Sequence, residues 1–199
     1  MRELQIYKPL HPFTGTQGFG QNLSPLYKEL GLLGHNGFDA IRGYVNRIYY
    51  ETEGANVRAA HDGEVISTGA DSSGGYFVEL RTLEMFADKK GIPHFWKTVY
   101  YHLRPIIKVR AGQKVRVGDI LGLADNTGRS NGSHLHFGLK RIEQGINEWT
   151  WTTLDYDNGY WGGIDPLPYL DKKTAYEWKI QFEQIMGNIW NLVALFQKS

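Results

Sequence analysis

Three features are missing from this sequence: cysteine, a surplus of charge of one sign, and a long hydrophobic run. Because there is no cysteine, disulfides and thiolate metal sites are excluded. Any zinc site must therefore use imidazole and carboxylate ligands. The formal net charge is +1, with no block of Lys and Arg, which argues against a nucleic-acid-binding surface.

Hydrophobic residues are spread along the chain. No apolar run approaches the length that spans a membrane, and residues 1–7 lack the apolar core of a signal peptide. We therefore expect a soluble protein without an integral membrane segment. It acts inside the producing cell, leaves by a route without a classical signal, or is a domain of a longer chain.

The composition favours a β-rich globular domain. At 199 residues, the chain can form one well-buried domain with an appendage, or two small domains. Aromatic residues make up 14% of it and 24 residues are glycine, which indicates many turns. Between Ile48 and Leu139, short β-prone runs alternate with turn signals, which predicts an antiparallel all-β domain. The runs are Val57–Ala60, Glu64–Ser67, Tyr76–Leu80, Thr98–His102 and Leu135–Leu139.

One further segment has a strand-like pattern. Apolar residues alternate with polar ones around Gly112 and Gln113. This pattern predicts a hairpin with one buried face. The apolar positions are Val109, Ala111, Val115 and Val117.

The two ends of the chain differ from this β-rich middle. Residues 1–34 are rich in Pro, Gly and Asn and predict an irregular lead-in, with one helical turn near Leu26–Leu30. Residues 149–170 contain three of the six tryptophans and two prolines, and predict an ordered loop that wraps the domain. Residues 171–199 predict an amphipathic helix with Asp171 as its N-cap. Its apolar face comprises Trp178, Phe182, Ile185, Ile189, Val193 and Phe196.

Two roles remain open for this helix. Its apolar face packs on the β-domain, or it pairs with the helix of another copy and mediates self-association. Binding to a membrane surface is disfavoured because the polar face is not strongly basic.

The first candidate for chemistry is the sequence Gly34-His35-Asn36-Gly37-Phe38-Asp39. His35 and Asp39 are ordinary zinc-ligand types, and the flanking glycines let the backbone bend so that two side chains four residues apart converge on one ion. By itself this pair is a weak signal, since such pairs also occur by chance.

A second candidate is the strand-like run that contains His134 and His136. Side chains two apart in a strand point to the same face, so the two imidazoles share a cavity while Leu135 and Phe137 anchor the opposite layer. Two protonated imidazoles would repel each other. A metal or a shared proton-transfer task therefore explains the pair better than solvated histidines on an edge strand.

His102 ends the β-prone run Thr98–Tyr101 and is undistinguished alone. Together with the two motifs it completes a set of one Asp and four His, which is more than one structural metal site needs. A catalytic zinc takes three protein ligands and leaves one position for water, so two histidines remain for proton transfer. His11, His61 and His94 lack such contexts and are interpreted as surface or packing residues.

In this order and context, the motifs resemble the lysostaphin-type zinc endopeptidases that cleave peptidoglycan. The resemblance extends from about Phe19 to Leu139. Besides the histidine motifs, it rests on Val57–Val65, on Tyr100–Leu103, on Val109–Val115 with Gly118–Gly122, and on the glycine-rich approach Asn126–Phe137.

The resemblance implies one Zn²⁺ held by His35, Asp39 and His136, with His102 and His134 as the catalytic pair. It also implies a mainly β fold, a twisted antiparallel sheet whose groove holds an extended wall peptide. The expected division is a zinc endopeptidase domain over 1–148, the wrapping loop 149–170 and the C-terminal helix 171–199. Because the sequence lacks a signal peptide, we expect a lysin that acts at the bacterial cell wall. It would be phage-encoded or excised from a longer chain.

The sequence also departs from the family pattern. Ser133 and Gly138 replace the proline and acidic residue that are common there, and neither is an implied ligand. Residues 40–56 and 84–97 are longer than the usual connections and should lie near the groove. Their aromatic residues either line substrate subsites or pack within their own loops; they are Tyr44, Tyr49, Tyr50, Phe95 and Trp96.

Three other functions compete with that of an active endopeptidase. A non-catalytic relative that binds the wall or activates other hydrolases is disfavoured, because all five functional positions are retained. A D-Ala-D-Ala carboxypeptidase also uses two His and one Asp, but with another spacing and without this H-x-H strand. An assembly role for residues 149–199 is compatible with catalysis.

Overall fold

The computed structural model describes residues 1–147 and 149–196, with side chains up to residue 190. Its strands and helices, numbered along the chain, are β1 (Ile6–Lys8), β2 (Thr14–Gln17), α1 (Leu26–Glu29), β3 (Phe38–Ile41), β4 (Gly43–Val45), β5 (Ile48–Tyr50), β6 (Asn56–Arg58), β7 (Gly63–Asp71), β8 (Gly75–Thr82), β9 (Phe86–Ala87), β10 (Pro93–Leu103), β11 (Lys114–Val115), β12 (Ile120–Leu123), β13 (Leu135–Gln144), β14 (Trp151–Thr153), β15 (Gly163–Ile164), β16 (Leu170–Thr174) and α2 (Ala175–Phe196).

The main sheet is antiparallel, with the strand order β11-β7-β8-β10-β13-β3-β2. β14 and β15 add to the edge of β13, and β9 pairs with β10. The sequence-based prediction of a mainly antiparallel β fold with a C-terminal helix is therefore confirmed. Among the described residues, no helix is long and apolar enough to cross a membrane.

Alternation along β10 and β13 separates the core from the functional face. Leu135, Phe137 and Leu139 are fully buried in the core, as are Trp96 and Tyr100 on the neighbouring strand. Because successive strand residues point to opposite faces, His136 and Tyr101 project from the other face. The two are paired directly across the strands.

Residues 109–117 do not form the predicted hairpin. The nitrogen of Gly112 donates to Val65, and the nitrogen of Val65 donates to Gln113. Lys114 and Val115 then pair with Glu64 and Gly63 of β7. The apolar alternation was real, since Val115 and Val117 are buried, but the segment finds its strand partner in β7 instead of in itself.

The chain ends contain more sheet than the sequence predicted. The lead-in forms the expected helical turn as α1, but it also contributes β1 and β2. The aromatic-rich segment 149–170 includes β14 and β15, which hydrogen-bond to β13. The division of the chain at residues 148 and 170 stays a prediction.

The C-terminal helix begins at Ala175, so the predicted N-cap, Asp171, is wrong. Asp171 lies in β16, where its carboxylate accepts a bond from the nitrogen of Lys173. Thr174 caps the helix instead: its Oγ1 accepts a bond from the nitrogen of Glu177, whose carboxylate accepts one from the nitrogen of Thr174. This reciprocal arrangement is a capping box.

The beginning of α2 packs on the domain. Trp178 stacks on Phe182 and lies 5.9 Å, between ring centroids, from Tyr7. Further along, Ile185 and Ile189 of the predicted apolar face are half exposed. The side chains of Val193 and Phe196 lie outside the part of the chain that the structure describes.

Candidate metal centre

Two neighbouring strands bring the metal-ligand residue types together. Asp39 on β3 is paired directly with His136 on β13. His35 precedes β3, where the turn through Gly37 returns its side chain to Asp39. A Cβ on Gly37 would lie 2.6 Å from Nε2 of His136, so only glycine leaves room for the His136 ring.

The facing atoms of these three residues form a compact triangle. Nε2 of His35 lies 2.9 Å from Nδ1 of His136 and 3.0 Å from Oδ1 of Asp39. Nδ1 of His136 lies 3.2 Å from the same oxygen. Tetrahedral zinc with bonds of about 2.0–2.1 Å would separate its ligand atoms by roughly 3.3 Å, so the triangle is close to the size that zinc requires.

The surroundings of the triangle also fit a metal ion. Oδ1 of Asp39 is buried and lacks a hydrogen-bond partner within residues 1–147 and 149–196. Nδ1 of His35 faces the carbonyl of Gly18 at 3.1 Å and donates to it, which leaves Nε2 with a free lone pair toward the triangle. A cation between the three atoms would satisfy all of them at once.

Electrostatics keep this set in the protonation states that a metal needs. Burial raises the pKa of Asp39, but the close imidazoles of His136 and His35 favour the charged carboxylate more strongly and hold the pKa well below its ordinary value. Burial lowers the pKa of His136, although Asp39 opposes that change. The carboxylate is therefore charged and the His136 imidazole neutral at neutral pH, as metal ligands are.

His102 and His134 form a second pair beside the triangle. Their ring centroids are 4.5 Å apart, and Nε2 of His134 lies 3.5 Å from Oδ2 of Asp39. His102, the next-to-last residue of β10, has a φ of 60°, a left-handed conformation that is unusual for a non-glycine residue. This turn takes His102 out of the strand alternation and directs its ring to the site.

Backbone carbonyls fix the tautomers of this pair. Nδ1 of His102 donates to the carbonyl of Thr127 at 2.7 Å, and Nδ1 of His134 donates to that of Gly132 at 2.8 Å. Each Nε2 is then the unprotonated nitrogen. Burial, reinforced by the charges of His136 and His134, lowers the pKa of His102 to about 4, so its Nε2 can accept a proton at neutral pH.

A cavity of about 620 Å³ opens above these five residues. Of the predicted groove residues, Tyr49 lines it, and Tyr44 packs against Tyr49. Tyr50 faces a different cavity. Phe95 packs on Trp151, outside the cavity wall.

Trp96 is contradicted as a groove residue. It is fully buried, its indole nitrogen donates to the carbonyl of Phe86, and its ring packs on Tyr169. The physical reason is strand alternation, because Trp96 lies on the same face of β10 as the core residue Tyr100. Its position in a lengthened connection does not define which face of the strand it occupies.

Sequence reasoning missed one wall of the cavity. This wall comes from the lead-in and the C-terminal segment, and it is largely apolar: Leu23, Leu26, Tyr27, Leu30 and Trp161. Across the opening, Arg129 forms an ion pair with Glu29 at 2.6 Å. The apolar residues at three- to four-residue spacing around α1 were the feature of the sequence that could have predicted this wall.

Comparisons with known proteins agree with this geometry. The model of Peptidase family M23 matches residues 46–148, just over half of the chain. The chain belongs to Peptidase family M23, and the resemblance predicted from the motifs is confirmed. The matched range includes His102, His134 and His136, whereas His35 and Asp39 precede it.

Two curated relatives are peptidases. The chain is 31% identical to glycyl-glycine endopeptidase ALE-1 of Staphylococcus capitis over 128 residues. These residues make up 64% of this chain and 29% of the relative. It is 35% identical to peptidoglycan DD-endopeptidase ShyA of Vibrio cholerae over 86 residues. These residues make up 43% of this chain and 17% of the relative. The matches therefore span less than a third of either relative.

Solved structures share the fold. The lysostaphin catalytic domain of Staphylococcus simulans aligns with a TM-score of 0.52 and 22% identity, over 80% of this chain and 92% of that one. A zinc-containing peptidase of Vibrio cholerae aligns with a TM-score of 0.51 and 25% identity, over 76% and 39%. A chain of the SpoIIQ–SpoIIIAH pore-forming complex also aligns, with a TM-score of 0.54 and 18% identity. The alignment covers 85% of this chain and 93% of that one. Because a chain of a pore-forming complex has the same fold, the fold alone does not identify the function. The side chains of the site are needed for that.

Proposed function

We propose that this protein is a zinc-dependent endopeptidase that hydrolyses peptide bonds in peptidoglycan stems or cross-bridges. The observation that carries the proposal is the triangle of His35, Asp39 and His136 with the second histidine pair beside it. Membership of a peptidase family and the peptidoglycan endopeptidase among its relatives support the substrate class. We propose the bacterial cell wall as its site of action, as expected for a lysin.

The residues divide into two roles. His35, Asp39 and His136 would hold the ion, because their three free atoms converge on one point. When bound, zinc supplies a Lewis acid that acidifies water and polarises a carbonyl. The open side of the triangle faces the cavity, where an extended peptide has access to it.

His102 and His134 would move protons. With each Nδ1 donating to a backbone carbonyl, both Nε2 atoms can accept a proton from water and return it to the leaving amine. Because the two rings are in contact, we assign the base role to the pair and not to one of them.

The test combines zinc content with the release of new amino groups from purified peptidoglycan. We expect His136→Ala to lose both zinc and activity. His102→Gln and His134→Gln should each keep zinc and lose activity by about 10²–10⁴-fold. His94→Gln serves as a matched control, since His94 also lies on β10 but contacts Asp88 instead of the site.

Two results would contradict the proposal in different ways. Loss of zinc from His102→Gln or His134→Gln would show that the two roles are assigned wrongly. A zinc-replete protein that leaves walls of several chemotypes uncut would favour the alternative function, a non-catalytic wall-binding relative. Mass spectrometry of the released fragments would identify the bond that is cut.

A further inference from the structure

A second cavity, of about 340 Å³, lies on the other side of the β4–β5 hairpin from the metal centre. Tyr49 lines the metal-centre cavity and Tyr50 lines the second one. Neighbouring strand residues point to opposite faces, so the hairpin separates the two cavities. The second cavity takes no part in the proposed hydrolysis.

Two arginines face this second cavity, and backbone carbonyls hold both of them. Nε of Arg42 donates to the carbonyl of His11 at 2.7 Å, and its guanidinium lies over the ring of Tyr50, 5.1 Å from the centroid. Nη1 of Arg58 donates to the carbonyl of Gly118 at 2.7 Å, and its guanidinium lies 5.1 Å from the ring centroid of Tyr176.

Neither guanidinium has a carboxylate partner. Within residues 1–147 and 149–196, no Asp or Glu oxygen lies within 4.0 Å of a side-chain nitrogen of Arg42 or Arg58. Burial lowers the pKa of Arg58, whereas the charges of Tyr176, Asp119 and Glu183 oppose this change, the two carboxylates from beyond direct contact. Two half-buried positive charges at one cavity are costly unless an anion accompanies them.

His11 forms part of the wall of this cavity. Its ring packs on Tyr176 with centroids 4.8 Å apart, and its Nδ1 contacts Oγ1 of Thr174 at 3.1 Å. Because the Thr174 hydroxyl donates its one hydrogen to Glu177, Nδ1 of His11 donates to Oγ1, and Nε2 of the neutral ring is left as an acceptor. The nearest carboxylate, that of Glu177, lies 4.0 Å from Nδ1 and is already engaged in the cap of α2.

We propose that this cavity binds a phosphate group between Arg42 and Arg58. A phosphate monoester carries about −1.5 to −2 charges at pH 7, which matches two guanidiniums, whereas one carboxylate would leave one of them unpaired. Pinned, planar guanidiniums favour bidentate contacts with oxyanions. The volume is near the lower limit for ligand pockets, about 300 Å³, and therefore suits a small phosphate compound.

The test is a titration of the 199-residue chain with inorganic phosphate at constant ionic strength, followed by NMR of the arginine Nε–H groups. We expect saturable shifts of the Arg42 and Arg58 signals. Acetate, a carboxylate of similar size, should bind at least about tenfold more weakly. A parallel titration with glycerol 3-phosphate distinguishes free phosphate from an organic phosphate as the better ligand.

Variants connect the binding to the two arginines. Arg42→Gln combined with Arg58→Gln should weaken phosphate binding at least about tenfold, whereas Arg110→Gln, a change at an exposed arginine outside the cavity, should leave it unchanged. Shifts that never saturate, shifts confined to the histidines of the metal centre, or equal binding of acetate would overturn the proposal. These outcomes are measured in titrations of the protein without substitutions. The proposal can therefore be tested even if the double variant does not fold.

Discussion

His35 and His136 are separated by 101 residues in sequence, yet Nε2 of the first lies 2.9 Å from Nδ1 of the second. One proton between the two nitrogens would satisfy this pair but not the buried oxygen of Asp39 beside them. A divalent cation satisfies all three atoms. The contact therefore joins two distant stretches of chain, one with His35 and Asp39 and one with His136, in a single chemical task.

Gly37 should be essential for metal binding because of this packing. In Gly37→Ala, the new methyl would lie 2.6 Å from Nε2 of His136 and 2.8 Å from the carbonyl of Phe137, so the His136 ring must move. We expect zinc affinity to fall by about 10–100-fold or more, as when a metal ligand loses its support. Competition with a chelator measures this affinity.

Gly138→Ala is the matched control for this change. Its methyl would point toward the same ring but would lie 4.0 Å from Nε2 of His136 and 3.4 Å from Cβ of Val99, which are ordinary contacts. Zinc affinity should therefore remain within a few-fold of the original. Equal losses from both substitutions would show that the space around His136 does not govern metal binding.

Substitutions of Tyr49 and Trp96 should change different properties, because Tyr49 lines the metal-centre cavity and Trp96 lies in the core. Tyr49→Ala removes a ring from the metal-centre cavity and should raise KM about three- to tenfold with little change in kcat. Trp96→Ala leaves a void in the core and should lower the free energy of unfolding by about 3–5 kcal/mol. Steady-state kinetics and denaturant unfolding of both variants provide the measurements; a raised KM without destabilisation in Trp96→Ala would contradict the structure.

His61 should make stability depend on pH in the acidic range. Its ring is fully buried between Thr98 and the carbonyl of Asp62, and burial lowers its pKa from 6.5 to about 4. Between these values the unfolded chain binds a proton that the folded chain does not. The free energy of unfolding should therefore fall as pH drops from 6.5 to 4, by up to about 3 kcal/mol, and this contribution is constant above pH 6.5.

Denaturant unfolding of the native protein and of His61→Gln across pH 4–7 tests this expectation. The variant should be less stable overall but should lose less of its stability on acidification. His94→Gln, at a second non-catalytic histidine, provides the comparison. Parallel pH profiles for the native protein and His61→Gln would exclude the effect.

Thr174 should stabilise the start of α2. Removing its hydroxyl in Thr174→Ala breaks the capping box with Glu177 and leaves a helix nitrogen unsatisfied, which should cost about 1 kcal/mol. Thr152→Ala, on the exposed strand β14, should change stability by less than about 0.5 kcal/mol. Thermal unfolding of the two variants checks the difference; equal effects would argue against the cap.

The sequence predicted the parts of the site that depend on local geometry. The strand-like alternation was sufficient to predict that His134, which directly precedes β13, and His136 face one cavity and that Leu135 lies in the core. The glycines around His35 correctly indicated that its side chain could approach Asp39. The motif order then indicated the family and, through it, the antiparallel sheet.

Features that depend on long-range pairing were less predictable. The alternation over Val109–Val117 could not reveal that its partner is β7, because the same pattern suits a hairpin and a lone edge strand. The face of Trp96 depends on the register of β10 against its neighbours, which sequence spacing alone does not define. By contrast, the capping box at Thr174 and Glu177 was a readable local motif that was overlooked.

X-ray absorption at the zinc edge tests the central claim most directly. The purified protein should bind about one zinc, with three nitrogen or oxygen ligands from protein at about 2.0–2.1 Å and one water. The two-histidine signature should be lost in His136→Ala and retained in His102→Gln. Coordination by four protein ligands, or failure to retain zinc at all, would contradict a catalytic centre built on His35, Asp39 and His136.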